Sequence, residues 1–210
     1  MKPHKIKTPV NNSGTAMQKI LDASAELIAQ KGYSAVGIRE IAAKAEVNIA
    51  MISYYFGGKI GILKSIMDDY NNEFKSVVKK LREKDLGLEE GTRHFVTALV
   101  ELIQRKENIC KVAMLEIPYE IPEIAGLKIK MMKENSHLMK DTMKKYFDID
   151  DPIEHLIIAP VFMAIIYSNF LFAAPFQKYL NVKFNKKFYK KYSEVISNFA
   201  LHGISGYSKK

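Results

Sequence analysis

Apolar residues recur every three or four positions along the chain, the rhythm of amphipathic helices rather than the two-residue alternation of strands. From Ala16 to Gly32 they fall at Ile20, Ala23 and Leu27 and at Leu21, Ala25 and Ile28, and the segment closes on Lys31-Gly32, a basic last turn before a glycine stop. Ile38, Ile41, Ala42 and Ala45 mark one side of a second, shorter helix. A third follows, with Val47, Ile52 and Phe56 able to face inward. A long stripe through Leu63, Met67, Tyr70, Phe74, Val77 and Leu81 predicts an extended fourth helix. Beyond Arg82 the pattern predicts helices near 89–106, 107–117, 122–147, 152–174 and 184–203, with breaks at Leu86-Gly87, Pro118–Pro122, Asp148–Asp151 and Pro175. The expected fold is all-α.

The stretch Ile38–Phe56 is the most informative part. Ala45-Glu46-Val47 turns the chain, and Asn48 stands where a new helix needs a side chain to accept its free N–H groups. With Ile52 and Phe56 inward, Asn48, Ile49, Ala50, Met51, Ser53 and Tyr54 are left on the outer side or its margins. A short helix braced in this way is the device that enters a DNA major groove. The same pattern fits an ordinary helical hairpin inside a core.

The flanks decide between the two. Gly32-Tyr33, Ile38-Arg39-Glu40-Ile41-Ala42, Ala45-Glu46-Val47-Asn48, Tyr54-Tyr55-Phe56-Gly57-Gly58-Lys59 and Leu63 occur in the order and register of the tetracycline-repressor (TetR) family. Over roughly residues 16 to 67 the chain resembles that family of transcription regulators. The resemblance implies a three-helix helix-turn-helix head joined by a long helix to a C-terminal helical domain that binds an effector and dimerises. The expected organisation is a basic arm at 1–14, a DNA-binding domain at 15–58 and an effector-binding and dimerisation domain at 59–210. The chain departs from the family in four places. Glu46 stands where the family usually has Gly, and Gly37 where Thr or Ser commonly starts the second helix. Ser53 replaces a frequent Tyr, and Tyr55 a frequent His.

The resemblance places Arg39, Asn48, Ile49, Ala50, Met51, Ser53, Tyr54, Tyr55 and Lys59 at the DNA surface. Arg39 carries the fork that reads guanine O6 and N7, or else holds a phosphate. Ile49, Ala50 and Met51 lack strong donors and acceptors and suit thymine methyl groups. Tyr54 and Tyr55 can donate phenolic O–H groups to phosphates. Lys59 adds charge to the positive end of the long helix, an expected phosphate clamp.

Charge refines this picture. The net charge is +9, yet residues 15–70 hold six basic and six acidic side chains, so the expected head is neutral and its DNA contact rests on a few placed cations. Residues 1–14 contribute three lysines and no acid. Lys186-Lys187 and Lys190-Lys191 read as a solvated face. The single cysteine, Cys110, excludes an intrachain disulfide and a cysteine-cluster metal site. No apolar run follows the basic N-terminus, so no secretory signal is read and a cytoplasmic location is expected.

The segment 156–176 holds no charged residue over about the length that spans a bilayer, which raises the alternative of a membrane-tethered regulator. Pro160, Pro175 and Ser168-Asn169 oppose it, and a helix apolar all round also suits burial against a partner subunit. The resemblance favours the latter, pairing this segment with Asn185–Leu201 in a two-fold homodimer with no membrane contact. Phe188, Tyr192, Val195, Ile196 and Phe199 supply the apolar spacing of the last helix. The resemblance also implies a small-molecule pocket, for which Met114, Tyr119, Met131, Phe162, Met163, Tyr167, Asn169 and Phe170 are the candidates. Methionine suits irregular surfaces, and ten are present.

Little in the sequence supports catalysis. Glu134, His137 and Asp141 share one helix face and could ligate a metal, but that spacing is ordinary for a surface charge cluster. Glu154-His155 reads as a helix-start pair. No glycine-rich phosphate loop occurs, and no nucleophile motif with a recognisable base. The expectation is a sequence-specific DNA-binding regulator that is not an enzyme and uses neither cofactor nor metal. A helical enzyme or scaffold reusing the head fold is the remaining alternative.

Overall fold

The computed structural model describes residues 13–143, 152–171 and 173–203, and every regular element among them is helical. In chain order these are α1 (Ser13–Lys31), α2 (Ile38–Ala45), α3 (Ala50–Phe56), α4 (Lys59–Glu83) and α5 (Leu88–Arg105). They are followed by α6 (Glu107–Leu115), α7 (Pro122–Met143), α8 (Pro152–Leu171), α9 (Ala173–Tyr179) and α10 (Lys186–His202). The arm at 1–12 lies outside the described residues.

The apolar stripes of α1, α2 and α3 close on one another through Ile20, Leu27, Ile28, Ile41, Ile52 and Phe56, all buried. The glycine stop holds: Gly32 takes φ +80° and its N–H bonds the Ile28 carbonyl at 2.8 Å. Lys111 of α6 satisfies another last-turn carbonyl of α1, donating to Ala29 O at 2.6 Å. Ion pairs Lys31–Glu40 and Lys44–Glu26 tie α1 to α2.

Helix α4 belongs to both parts of the molecule. Its buried face starts with Ile62 and Leu63, near α3, and continues through Tyr70 and Phe74 to Leu81 among α5, α6 and α7. The boundary expected at 58/59 is therefore a corner of the chain, with no linker at that point. Helix α7 runs parallel to α4: Lys64 faces Glu123 and Lys75 faces Glu134. Helix α5 runs antiparallel, and Lys106 just beyond its end reaches Asp69 at 2.7 Å and Glu73 at 3.0 Å. Tyr192 of α10 donates to the Ile166 carbonyl of α8 at 2.8 Å.

Three details differ from the sequence expectations. Pro175, expected as a break, stands inside the helical run of α9. The expected stripe of α10 divides: Tyr192 and Ile196 are buried within the chain, while Val195 and Phe199 lie on the surface. Helix α8 divides likewise, with Ile166, Tyr167 and Phe170 inside and Leu156, Ile157 and Val161 outside. Among the described residues no helix is long and apolar enough to cross a membrane.

Candidate nucleic-acid interface and effector cavity

The corner between α2 and α3 is built by two residues. Glu46 takes the left-handed conformation (φ 55°, ψ 44°), and its backbone N–H and that of Val47 bond Ala43 O and Ala42 O at 3.2 and 3.1 Å. That conformation strains a residue carrying a Cβ by about 1–2 kcal/mol. Two residues later the Asn48 side chain accepts from the Ala50 N–H at 2.9 Å, and the Asn48 carbonyl accepts from the Met51 N–H at the same distance. Ile49 already has helical dihedrals (φ −55°, ψ −31°), so Asn48 is the physical cap of the third helix, as its position in the sequence implies. Gly37 precedes α2 with extended dihedrals and offers no side-chain cap.

Burial of Ile52 and Phe56 turns the other side of α3 outward. Asn48, Ile49, Ala50, Ser53 and Tyr54 are exposed, and Tyr54 reaches 82%. Met51 and Tyr55 are half-buried and pack on the core beneath. The Tyr55 ring lies edge-on to Tyr54 at 5.0 Å and to Phe56 at 6.5 Å. Arg39 is exposed and makes no ion pair among the described residues. Lys31 and Lys44 are already paired, and each holds its partner carboxyl, Glu40 and Glu26, below the usual range.

Lys59 stands apart from the other eight. Its ammonium donates to the Tyr33 carbonyl and sits 4.0 Å above the Tyr33 ring. Burial pushes its pKa down. The side chain is thus engaged in joining α4 to the α1–α2 turn, while the first N–H groups of α4 remain at the helix start. Gly61 is a site residue that the periodic pattern did not single out. A Cβ there would lie 1.7 Å from the Phe56 carbonyl oxygen, so only glycine lets α4 pass this close to α3. Its signal in the sequence was a glycine just inside a helical run.

Farther from the head, α4, α5, α7, α8 and α10 surround a cavity of about 340 Å3, in the range of small-molecule sites. Leu81, Leu88, Phe95, Phe162, Ile165 and Phe199 make much of its wall. Of the eight expected pocket residues, Phe162 lies here. Met131 lines a second, smaller pocket; Tyr167 and Phe170 are buried in the core; Met114, Met163 and Asn169 are half-buried; Tyr119 is exposed. The wall escaped the sequence reading because it combines residues from five helices that are far apart in the chain. Ring contacts connect it to the long helix: Phe162 to Phe95 at 5.9 Å, Phe95 to Phe74 at 6.4 Å, and Phe74 to Tyr70 at 6.3 Å.

Burial pushes the Cys110 thiol up to about 12, which leaves it unreactive at neutral pH. Among the described residues no group of three metal-ligating side chains assembles. The side chains of Asp141 and His155 lie outside the described ones.

Residues 20–66 match the family profile of bacterial regulatory proteins, tetR family. YvkB, an HTH-type transcriptional regulator of Bacillus subtilis (strain 168), is 27% identical over 159 residues, covering 73% of this chain and 80% of its own. The fatty acid degradation regulator FadR from Bacillus halodurans superposes with a TM-score of 0.70 at 20% identity, covering 95% of this chain and 98% of its own. FadR from Bacillus subtilis, solved in complex with stearoyl-CoA, gives 0.68 at 18% identity over 89% and 98%.

Proposed function

Because the chain belongs to the tetR family of DNA-binding transcriptional regulators, we propose that it is a ligand-responsive repressor that binds a palindromic operator as a homodimer. The observation that carries this reading is the outer face of the α3 region, where Ile49, Ala50, Ser53 and Tyr54 are exposed, together with an exposed Arg39 that makes no ion pair among the described residues. In this reading Ile49, Ala50 and Met51 pack on thymine methyl groups, and Arg39 reads guanine or grips a phosphate. Asn48 and Ser53 offer short polar contacts, and Tyr54 and Tyr55 reach the backbone. Lys59 contributes through its own N–H and its neighbours' at the positive end of α4, with its side chain bracing Tyr33.

The homodimer is favoured by the surface of α8 and α10. Leu156 (66% exposed), Ile157, Val161 and Phe199 leave large apolar side chains on the surface of α8 and α10, as at a protein–protein contact. Ile157, Val161 and Phe199 also border the cavity, so a subunit covering this face would close the cavity mouth.

The effector reading rests on the cavity. Its wall is mainly aliphatic and aromatic, and the Thr142 hydroxyl is committed to the Leu138 carbonyl at 2.9 Å. Such a lining suits an alkyl chain, and the stearoyl-CoA complex of a structural neighbour makes a long-chain acyl thioester the first compound to try. Leu81, in the wall, lies on the same helix as Lys59, about 33 Å away at the helical rise. An effector that prefers a wider spacing of the heads would then release the operator, whereas equal affinity for both spacings would shift nothing.

Selection of bound duplexes from a random pool, at near-physiological salt, tests the DNA reading. An enriched palindrome with T-containing half-sites is the expected result. No enrichment from folded protein, with and without stearoyl-CoA, would contradict it.

A further inference from the structure

The smaller pocket, of about 30 Å3, lies between α4, α6 and α7 and is lined by Met67, Tyr70, Asn71, Lys128, Met131 and Asn135, among others. It shares no lining residue with the apolar cavity, and its chemistry is different. Lys128 is half-buried, and among the described residues no carboxylate pairs with it. Its ammonium makes one bond, to the Ala113 carbonyl in the last turn of α6 at 2.7 Å, which leaves two N–H groups uncommitted. Beside it Asn135 donates through Nδ2 to Asn71 Oδ1 at 2.9 Å, while Asn135 Oδ1 is buried without a partner. A half-buried cation without a counter-charge and a buried amide oxygen without a partner are each costly, and both line this one pocket.

We propose that this pocket binds the carboxylate of a small aliphatic acid. One carboxylate oxygen takes the free N–H groups of Lys128. The two amides can reverse together, keeping the bond between Asn71 and Asn135 and turning an Asn135 N–H to the second oxygen. A void of about 30 Å3 holds such a group, since one water requires roughly 10–15 Å3. Met67, Met131 and Met132 form flexible apolar walls for a short tail. Occupancy would bear on the DNA head by a short route. Lys128 holds the end of α6, and Lys111 of the same helix holds the end of α1 through Ala29.

The test titrates the full chain with sodium propionate and follows the side-chain amide signals of Asn71 and Asn135 by NMR. Propionamide and sodium chloride serve as the neutral and ionic controls. Saturable movement with propionate alone, weakened about tenfold or more by Lys128→Gln, supports the site. No saturable movement, or an equal response to propionamide or chloride, overturns it. Should Lys128→Gln fail to fold, the contrast between propionate and propionamide on the native chain still decides. Binding is read without DNA, so failure here leaves the operator reading untouched.

Discussion

Lys59, the first residue of α4, donates to the Tyr33 carbonyl and lies over the Tyr33 ring, fastening the start of the connecting helix to the turn that leads into the helix-turn-helix. The contact joins residues 26 positions apart and sets how α4 meets the head.

Replacing Lys59 by Met keeps bulk and removes the bond. The expected loss of stability is about 1–2 kcal/mol, from one partly buried charge-assisted hydrogen bond and a cation–π contact. A denaturant midpoint checks it. An unchanged midpoint together with a flatter salt dependence of DNA binding would instead assign the ammonium to a phosphate.

Glu46→Gly removes the left-handed strain at the corner. The gain of about 1–2 kcal/mol is partly cancelled by the greater freedom of glycine in the unfolded chain, leaving a net stabilisation of about 0.5–1 kcal/mol. Thermal unfolding should show a modestly higher midpoint. A lower one would mean that the Glu46 side chain contributes something beyond its backbone angles.

Gly61→Ala sets a methyl group 1.7 Å from the Phe56 carbonyl oxygen. Neither atom can move without parting α3 from α4, so a cost on the order of 3 kcal/mol is expected. Operator affinity should fall as well. Normal stability would show that the two helices are free to separate.

Acid should loosen the seam between α4 and the end of α5. Hydrogen bonding to Lys106 is the main cause that holds the Glu73 carboxyl below its usual range. Its folded pKa is depressed, so its stabilisation is complete above the unfolded value of about 4.3 and is lost as pH falls through the folded value. Lys106→Met should flatten the loss of stability below about pH 4.5. Identical acid profiles for the two proteins would rule the pair out as a source of the pH dependence.

Leu156→Lys places a charge on the outer face of α8 without touching the core. Sedimentation should show the native chain as a dimer and the variant as a monomer with weakened operator binding. A monomeric native chain would remove the assignment of this face.

The sequence carried the helices and the DNA head because both are written in local rules. Three-to-four spacing, Gly32 as a stop and Asn48 as a cap act within a few residues, and the outer face of α3 follows once Ile52 and Phe56 point inward. The long-range parts were not legible in this way. The cavity wall takes its residues from five helices, so most of the methionines and aromatics expected there belong to the core or the surface instead. The stripes of α8 and α10 showed that these helices bury apolar surface, but only packing decided that Tyr192 turns inward and Phe199 outward. Lys59 could be placed beside DNA by its position. That its ammonium is held by Tyr33 depends on two segments meeting in space, and periodicity along one helix does not encode that. Local spacing determined what each segment can do; tertiary packing chose its partners, because burial and hydrogen bonding are satisfied by neighbours in space.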